Sequence, residues 1–191
     1  HCEISIVSGA DTLIEINENI GKKHAETLMI LTQRALDTAQ LDWTDLNVIG
    51  VGVGPGNFTG IRISVAAVRG LSFALNIPAF GIKRYEAICY QQKKDLLCSI
   101  NAPNGHFYIV SYSNGVFGSC SLNNLDTLAV PNCENIIGDQ SEKISKKFNL
   151  KEEKQIYWPS TSIAKIAQEM PIERSPPKPF YPSAGIYGAP D

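Results

Sequence analysis

The chain has 191 residues, of which 43% are hydrophobic, 19% charged and 8% aromatic, and its formal net charge is −2. This composition excludes a disordered or collagen-like chain and predicts a soluble globular protein with one core or two lobes of roughly 90 residues each. A protein that binds nucleic acid without a partner normally carries more basic than acidic residues. Any contact with RNA is therefore expected to need a partner that supplies positive surface.

The cysteines and the ends of the chain bear on location. Five cysteines are widely spaced and form no C-x-x-C pair, which predicts free thiols in a reducing compartment. No signal peptide and no apolar run of about 20 residues is visible, so we expect a cytoplasmic protein without a membrane span. Because the chain opens on His1-Cys2-Glu3 and not on Met, its natural start is expected to have been cut or left out.

The first part of the chain alternates strands and helices. In chain order, the patterns predict a hairpin (3–8 with 12–16), a helix (24–40), a buried strand (47–53), a second helix (61–75) and a further strand (79–82). This order predicts an α/β layer with at least one right-handed crossover.

The second part of the chain has a different pattern of turns and predicted strands. Two Asn-Gly dipeptides, at 104–105 and 114–115, predict an antiparallel meander. The predicted elements are a helix at 85–94, strands at 96–100, 106–111, 116–121, 136–137 and 155–158, helices at 141–148 and 162–170, and a proline-rich tail from 171. We therefore predict two domains, an N-terminal lobe at 1–94 and a second lobe with its tail at 95–191.

A glycine-rich turn joins the buried strand to the second helix. Such a turn presents backbone N–H groups at a helix N-terminus, where an anion is favoured. Thr59 is the expected N-cap, which leaves Arg62 in the first turn. The loop has neither a G-K-[ST] nor a complete G-x-G-x-x-G pattern, so a structural turn and a ligand-contacting loop both stay open. The candidate loop residues are Gly54, Pro55, Gly56, Phe58, Thr59, Gly60 and Arg62.

The helix at 61–75 is apolar on almost every side. A helix of this kind cannot lie on a solvent-exposed surface. The helix at 24–40 is the expected packing partner. We predict that this helix pair reaches a protein partner, the alternative being that both helices pack wholly within their lobe. The predicted interface residues are Leu28, Met29, Thr32, Leu36, Ser64, Ala67, Val68 and Leu71.

The sequence predicts neither catalytic residues nor metal ligands. His24 and Glu26 are two residues apart, so on a helix they point in nearly opposite directions and cannot share a metal ion. Glu3 and Glu15 fit the outward side of their strands, whereas a nuclease of the RNase H type needs converging carboxylates. No nucleophile–base pair indicates a protease.

Residues 51–82, VGVGPGNFTGIRISVAAVRGLSFALNIPAFGI, resemble the signature of the TsaB (YeaZ) family, which acts in threonylcarbamoyladenosine biosynthesis and is related to glycoprotease-like TsaD. Further matches are His24-Ala25-Glu26, Tyr85-Glu86-Ala87 and Pro179-Phe180-Tyr181. The resemblance implies an actin/Hsp70-like (ASKHA) fold of two RNase-H-like lobes. Members begin with a strand and an Asp-Thr turn, so the first strand of the N-terminal lobe is expected to be missing here. Asn101 stands where many relatives have Asp.

The resemblance also implies a function. It is that of a non-catalytic partner or scaffold subunit of the complex that adds threonylcarbamoyl to tRNA adenosine next to the anticodon. The implied partners are a TsaD-like catalytic subunit, bound through the two N-lobe helices, and a TsaE-like ATPase. The chain is expected to contact tRNA only as part of the complex. A homodimer of the isolated chain and a nucleotide at the partner interface stay open; no other cofactor is expected. The competing hypotheses are an ASKHA-type nucleotide-binding ATPase or small-molecule kinase, and a peptidase.

Overall fold

A computed structural model describes residues 2–19, 24–130, 133–171 and 175–182. Its helices are α1 (His24–Ala39), α2 (Phe58–Leu75), α3 (Arg84–Ile88), α4 (Ser141–Phe148) and α5 (Pro159–Gln168). Its strands are β1 (Cys2–Ser8), β2 (Asp11–Glu18), β3 (Ile49–Gly54), β4 (Ala79–Lys83), β5 (Leu96–Asn101), β6 (Phe107–Ser113), β7 (Val116–Phe117), β8 (Ser121–Asn123), β9 (Asn135–Gly138) and β10 (Lys151–Glu152).

The strands of the first part form two separate pairs. β1 and β2 make an antiparallel hairpin, and β3 and β4 run parallel, connected by the crossover through α2. The predicted order of strand, strand, helix, strand, helix and strand is confirmed. The remaining strands form a larger sheet of order β10-β9-β5-β6-β7, with β8 also paired to β6.

Alternation along β3 explains how this strand is sandwiched between helices. Val51 and Val53 share a cluster with Ile61 and Val65 of α2. Gly50 and Gly52 point the other way, towards Ile163 of α5. Because successive side chains of a strand leave opposite faces, α2 and α5 cover opposite sides of this sheet.

The larger sheet has its core at β5, whose residues Leu96 to Ile100 are all buried. Cys98 and Ile100 pack against Ile88 on one face, and Leu97 packs against Ile144 of α4 on the other. A strand covered on both faces is apolar without alternation, which is why its sequence forms a continuous hydrophobic run.

Three predicted elements of the second part differ from the structure. The helix expected at 85–94 ends at Ile88. The strand expected at 116–121 is interrupted, because the Gly118 N–H donates to the Ser111 carbonyl and the chain resumes as β8. No strand forms at 155–158; the preceding β10 pairs with β9, and Trp158 serves as the N-cap residue of α5. The proposed domain boundary at 94 and 95 falls between α3 and β5 and stays a prediction.

Candidate functional site

The glycine loop begins with a backbone conformation that only glycine adopts without strain. Gly54 has φ +109°, and the peptide bond from Gly54 to Pro55 is cis. A Cβ atom on Gly54 would lie 2.7 Å from the Phe180 carbonyl oxygen and 2.9 Å from Cδ1 of Ile61. The backbone at Gly54 is therefore closely packed between Ile61 of α2 and the Phe180 carbonyl, which leaves no space for a side chain.

Asn57 is the N-cap of α2. Its side-chain oxygen accepts a hydrogen bond of 2.8 Å from the Gly60 N–H, which satisfies one of the free donors of the first turn. The expectation that Thr59 is the N-cap is wrong, since Thr59 lies inside the helix, which begins at Phe58. The reason is physical: Asn is at least as good a cap as Thr, and it stands three residues before the donor.

Arg62 is held by aromatic side chains. Its guanidinium carbon lies 3.7 Å from the centre of the Phe58 ring, and its Nε donates to the Tyr181 hydroxyl at 3.2 Å. The Phe58 and Tyr181 rings are themselves 5.0 Å apart. Two of the seven predicted loop residues, Phe58 and Arg62, thus form one local cluster with Tyr181, whose part in it the spacing within the loop could not predict.

A charged cluster lies where the carboxyl ends of the parallel strands of both sheets meet. Arg84, just after β4, places Nη2 3.0 Å from Oδ2 of Asp139, and Asp139 follows β9. Gly56 of the glycine loop lies beside Arg84, since a Cβ there would be 3.8 Å from Nη1. Open α/β sheets bind ligands at the carboxyl ends of their strands, so this junction is a second candidate site.

Glu3 belongs to the same cluster. Burial is the largest influence on its carboxyl and raises the pKa above the ordinary value of 4.5, while a hydrogen bond from the Ser160 backbone and the charge of Arg84 act in the opposite direction. Glu3 is half-buried, as is every residue from Cys2 to Val7, so burial alone does not distinguish the two faces of β1 and the expected outward side for Glu3 stays a prediction. Sequence reasoning missed Arg84 and Asp139; the available signal was that each stands two residues after the end of a predicted strand.

The predicted interface residues line a partly open cavity of about 600 Å³ between the helices and the strands β1 and β3. Leu36 is fully buried, with 0% exposure, and therefore packs within the lobe. Met29 is 40% exposed, and the other six predicted residues are half-buried. The assignment of this set to a protein interface stays a prediction.

The exposed apolar surface of α2 lies on other residues. Phe73 is 91% exposed, and Ala66, Gly70 and Ala74 are exposed as well. By length and composition alone, α2 could cross a membrane, with a mean hydropathy of 1.3 over 18 residues; the expectation of a chain without a membrane span stays a prediction. A core helix of a soluble protein passes the same test, but only 17% of this helix is buried.

Histidine, cysteine and carboxylate side chains are the usual protein ligands of metal ions. Across the described parts of the chain, no group of three or more of them is placed to hold a metal ion. Nδ1 of His106 lies 3.1 Å from the Asn104 carbonyl oxygen, within its own turn.

The fold and the site together define an α/β protein with two sheets whose parallel strands meet at a charged junction beside a glycine loop. Over residues 16–181 the chain matches the TsaD family, described as tRNA N6-adenosine threonylcarbamoyltransferase, and it belongs to that family.

Individual proteins extend this result. A tRNA threonylcarbamoyladenosine biosynthesis protein TsaB from Buchnera aphidicola subsp. Schizaphis graminum is 28% identical over 177 residues, which is 84% of each chain. A tRNA N6-adenosine threonylcarbamoyltransferase from Clostridium kluyveri is 30% identical over 101 residues, covering 50% of this chain and 30% of that protein.

Solved structures show the same fold. YeaZ from Pseudomonas aeruginosa aligns with a TM-score of 0.67 at 22% identity, over 88% of this chain and 87% of that one. A Pseudomonas aeruginosa protein described as similar to peptidase YEAZ aligns with a TM-score of 0.72 at 21% identity, over 95% and 94%. The predicted resemblance to TsaB (YeaZ) is confirmed.

Proposed function

We propose that this chain is a non-catalytic partner subunit of the machinery that adds threonylcarbamoyl to tRNA adenosine, and that α1 and α2 dock it on a TsaD-like catalytic subunit. The relatives support the pathway: one is named for threonylcarbamoyladenosine biosynthesis and another for the transferase itself. Support for the docking face comes from the surface of α2.

Gly70 carries the argument for docking. Glycine in the interior of a helix costs about 1 kcal/mol relative to alanine, and a Cβ on Gly70 would meet nothing within 4 Å. Packing inside this chain therefore gives no reason for glycine at this position. A partner helix that approaches closely gives one, because a missing side chain lets two backbones come near each other.

The residues around Gly70 define the partner's chemistry. Ala66, Phe73 and Ala74 stand three or four positions from Gly70 and form one exposed apolar strip. Arg62 and Arg69 are also exposed on this helix. The strip fits an apolar helix flanked by acidic side chains, and burying Phe73 there would remove the largest exposed hydrophobic group of α2 from water.

Size-exclusion chromatography with light scattering tests the docking face. A TsaD-like chain from the same organism should co-elute with the wild type and with Val116→Ser, a control at a residue 69% exposed in the second part of the chain. It should not co-elute with Phe73→Ser or Gly70→Leu. Co-elution of both α2 variants at wild-type affinity would overturn the docking face.

A close-approach role of Gly70 predicts opposite effects of one substitution on stability and on partner binding. Gly70→Ala should raise the free energy of unfolding of the isolated chain by up to about 1 kcal/mol and weaken partner binding. A purely structural glycine would not produce this opposite pair of effects.

The proposal extends to the assembly. A TsaE-like ATPase and tRNA would join through the complex, in the cytoplasm, and the two halves of the chain would be the RNase-H-like lobes of an ASKHA fold. The alternative, a nucleotide-binding ATPase or small-molecule kinase, draws on the charged junction beside the glycine loop. Isothermal titration of the isolated chain with ATP separates the two: micromolar binding with turnover supports the alternative, and its absence supports the partner subunit.

A further inference from the structure

A basic region lies around the N-terminal end of α2, in a chain whose formal net charge is −2. Residues 46–85 contain neither Asp nor Glu, and the basic residues among them are Arg62, Arg69, Lys83 and Arg84. The described segment 175–182 adds Lys178 and again no acidic residue. The acidic residues of the chain are therefore concentrated elsewhere, and this region has a local positive charge.

The segment that carries Lys178 is fixed against β3. The Phe180 N–H donates to the Val53 carbonyl at 2.8 Å, so the extended chain lies alongside the strand. Lys83 and Lys178 consequently line one shallow cleft of about 470 Å³. The rest of its described lining is mostly proline and phenylalanine and includes no carboxylate. Nζ of Lys83 lies 5.1 Å from the centre of the Phe180 ring, so this cation stands beside an aromatic face.

Two aromatic side chains are exposed next to this cleft. Phe58 and Tyr181 are each 44% exposed, and Tyr181 directly follows Phe180 of the cleft. The Arg62 guanidinium packs on the Phe58 ring and donates to the Tyr181 hydroxyl. Because these contacts already hold both rings in place, little side-chain freedom is lost when a planar group stacks on them.

The three cations beside these rings are free to bind an external anion. In the parts of the chain that the structure describes, no ion pair includes Arg62, Lys83 or Lys178. The carboxylate of Glu86 accepts the backbone N–H of Lys83 at 2.7 Å, and it thereby caps α3 without pairing with the Lys83 ammonium. The charge of this surface is complementary to that of a phosphate chain.

We propose that Phe58, Arg62, Lys83, Lys178 and Tyr181 form a stacking surface for single-stranded RNA. Exposed rings stack on unpaired bases of any sequence, and cations beside them contact the phosphates. A duplex is excluded from the rings, because its bases are already stacked on each other. The choice of RNA over DNA rests on the proposed function, whereas the stacking surface itself does not.

The stacking surface is separate from the proposed docking strip of α2. Phe73 lies about 16 Å along the helix axis from Arg62, at a rise of about 1.5 Å per residue. A partner on the strip and an RNA strand on the stacking surface can therefore be bound together. The chain itself would supply part of the positive surface that its net charge led us to expect from a partner.

Fluorescence anisotropy of a labelled RNA octamer that alternates cytidine and adenosine tests the proposal on the isolated chain. Three phosphate contacts predict a slope of about −2 for log K against log salt, so binding should weaken about 20-fold between 50 and 200 mM salt. An RNA duplex of the same length should bind at least tenfold more weakly, because its bases cannot stack on the rings.

Variants separate stacking from charge. Phe58→Ala and Tyr181→Ala should each lower the affinity at least about fivefold. Tyr181→Phe keeps the ring and should bind within about twofold of the wild type. Lys178→Gln should reduce the magnitude of the salt slope by about 0.7. Lys143→Gln removes an exposed lysine of α4 and is the matched control, which should leave the slope unchanged.

Photo-cross-linking gives a result that does not depend on the folding of any variant. An octamer with a central 4-thiouridine should cross-link to Phe58 or Tyr181 of the wild type, as located by mass spectrometry. Cross-links confined to other residues, no saturable binding at the lower salt concentration, or equal affinity for the duplex would overturn the proposal.

Two competitors identify the ligand. AMP should compete poorly, since it offers a single base and phosphate; competition as strong as that of the unlabelled octamer would replace the RNA strand with a mononucleotide. Tighter binding of a DNA octamer would assign the surface to DNA. Because the assay contains no partner subunit, failure of the co-elution experiment on the docking strip would leave its result unchanged.

Discussion

Nη2 of Arg84 lies 3.0 Å from Oδ2 of Asp139, and the same carboxylate oxygen accepts the Asn101 N–H at 2.9 Å. One acidic side chain thereby ties the end of β4 to the ends of β5 and β9. The pair connects the first part of the chain with the larger sheet, so its loss should destabilise both. Side-chain exposures of 34% and 21% place it between surface and buried ion pairs.

Replacing Arg84 with Gln should lower the free energy of unfolding by about 1–2 kcal/mol, because a partly desolvated carboxylate loses its counter-charge. Asp139→Ala should cost more, since the Asn101 N–H loses its acceptor as well. Urea unfolding measures both. Lys146→Gln, which removes an ion pair with 73% exposure on each side, is the control and should leave the urea midpoint unchanged. Equal midpoints for Arg84→Gln and the control would contradict the assignment.

Asn57→Ala should destabilise the chain by about 1 kcal/mol, because the Gly60 N–H loses its cap. Thr59→Ala should have little effect, since Thr59 lies within the helix and alanine favours helix. Thermal unfolding of the two variants compares the positions directly. A larger loss for Thr59→Ala would restore threonine as the cap.

Alanine substitutions at two apolar residues of α1 should distinguish its buried face from its exposed face. Leu36 is fully buried and Ile30 is 67% exposed. Leu36→Ala should cost about 2–4 kcal/mol through lost burial and a cavity, whereas Ile30→Ala should change stability by less than about 0.5 kcal/mol. Urea unfolding of the isolated chain gives both values. Comparable losses would mean that α1 presents a different face to the core.

The raised pKa of Glu3 makes stability depend on pH. The folded state holds this proton more tightly than the unfolded chain, so the folded state binds more protons from about pH 4.5 up to the raised value. The free energy of unfolding therefore falls as pH rises through that window. Glu3→Gln should flatten the fall and leave the protein more stable at pH 7, as measured by urea unfolding at several pH values.

Glu142→Gln is the matched control for this titration. The Lys146 ammonium lowers the pKa of Glu142, so this carboxylate stabilises the fold above its unfolded pKa and the stabilisation is lost as pH falls. The control should leave the decline above pH 4.5 in place. A Glu3→Gln profile parallel to the wild type would contradict the assigned pKa shift.

Local sequence patterns determined much of this protein. Local patterns predicted α1 and α4 closely, and α2 with a start three residues too late, and the hydrophobic run at 96–100 predicted the central strand of the larger sheet. These features depend on side chains a few residues apart, whose periodicity of 2 or 3.6 is printed in the sequence itself. The motif at 51–82 likewise identified the family.

Only the tertiary structure decided which face of each helix is covered. Ala66 and Ala67 are adjacent and chemically identical, yet one is exposed and the other lines the cavity between the helices and the strands β1 and β3. Arg84 and Asp139 are separated by 55 residues and meet only because two sheets align the ends of their strands. Both facts depend on the relative placement of elements distant in the chain, and local periodicity carries no information about that placement.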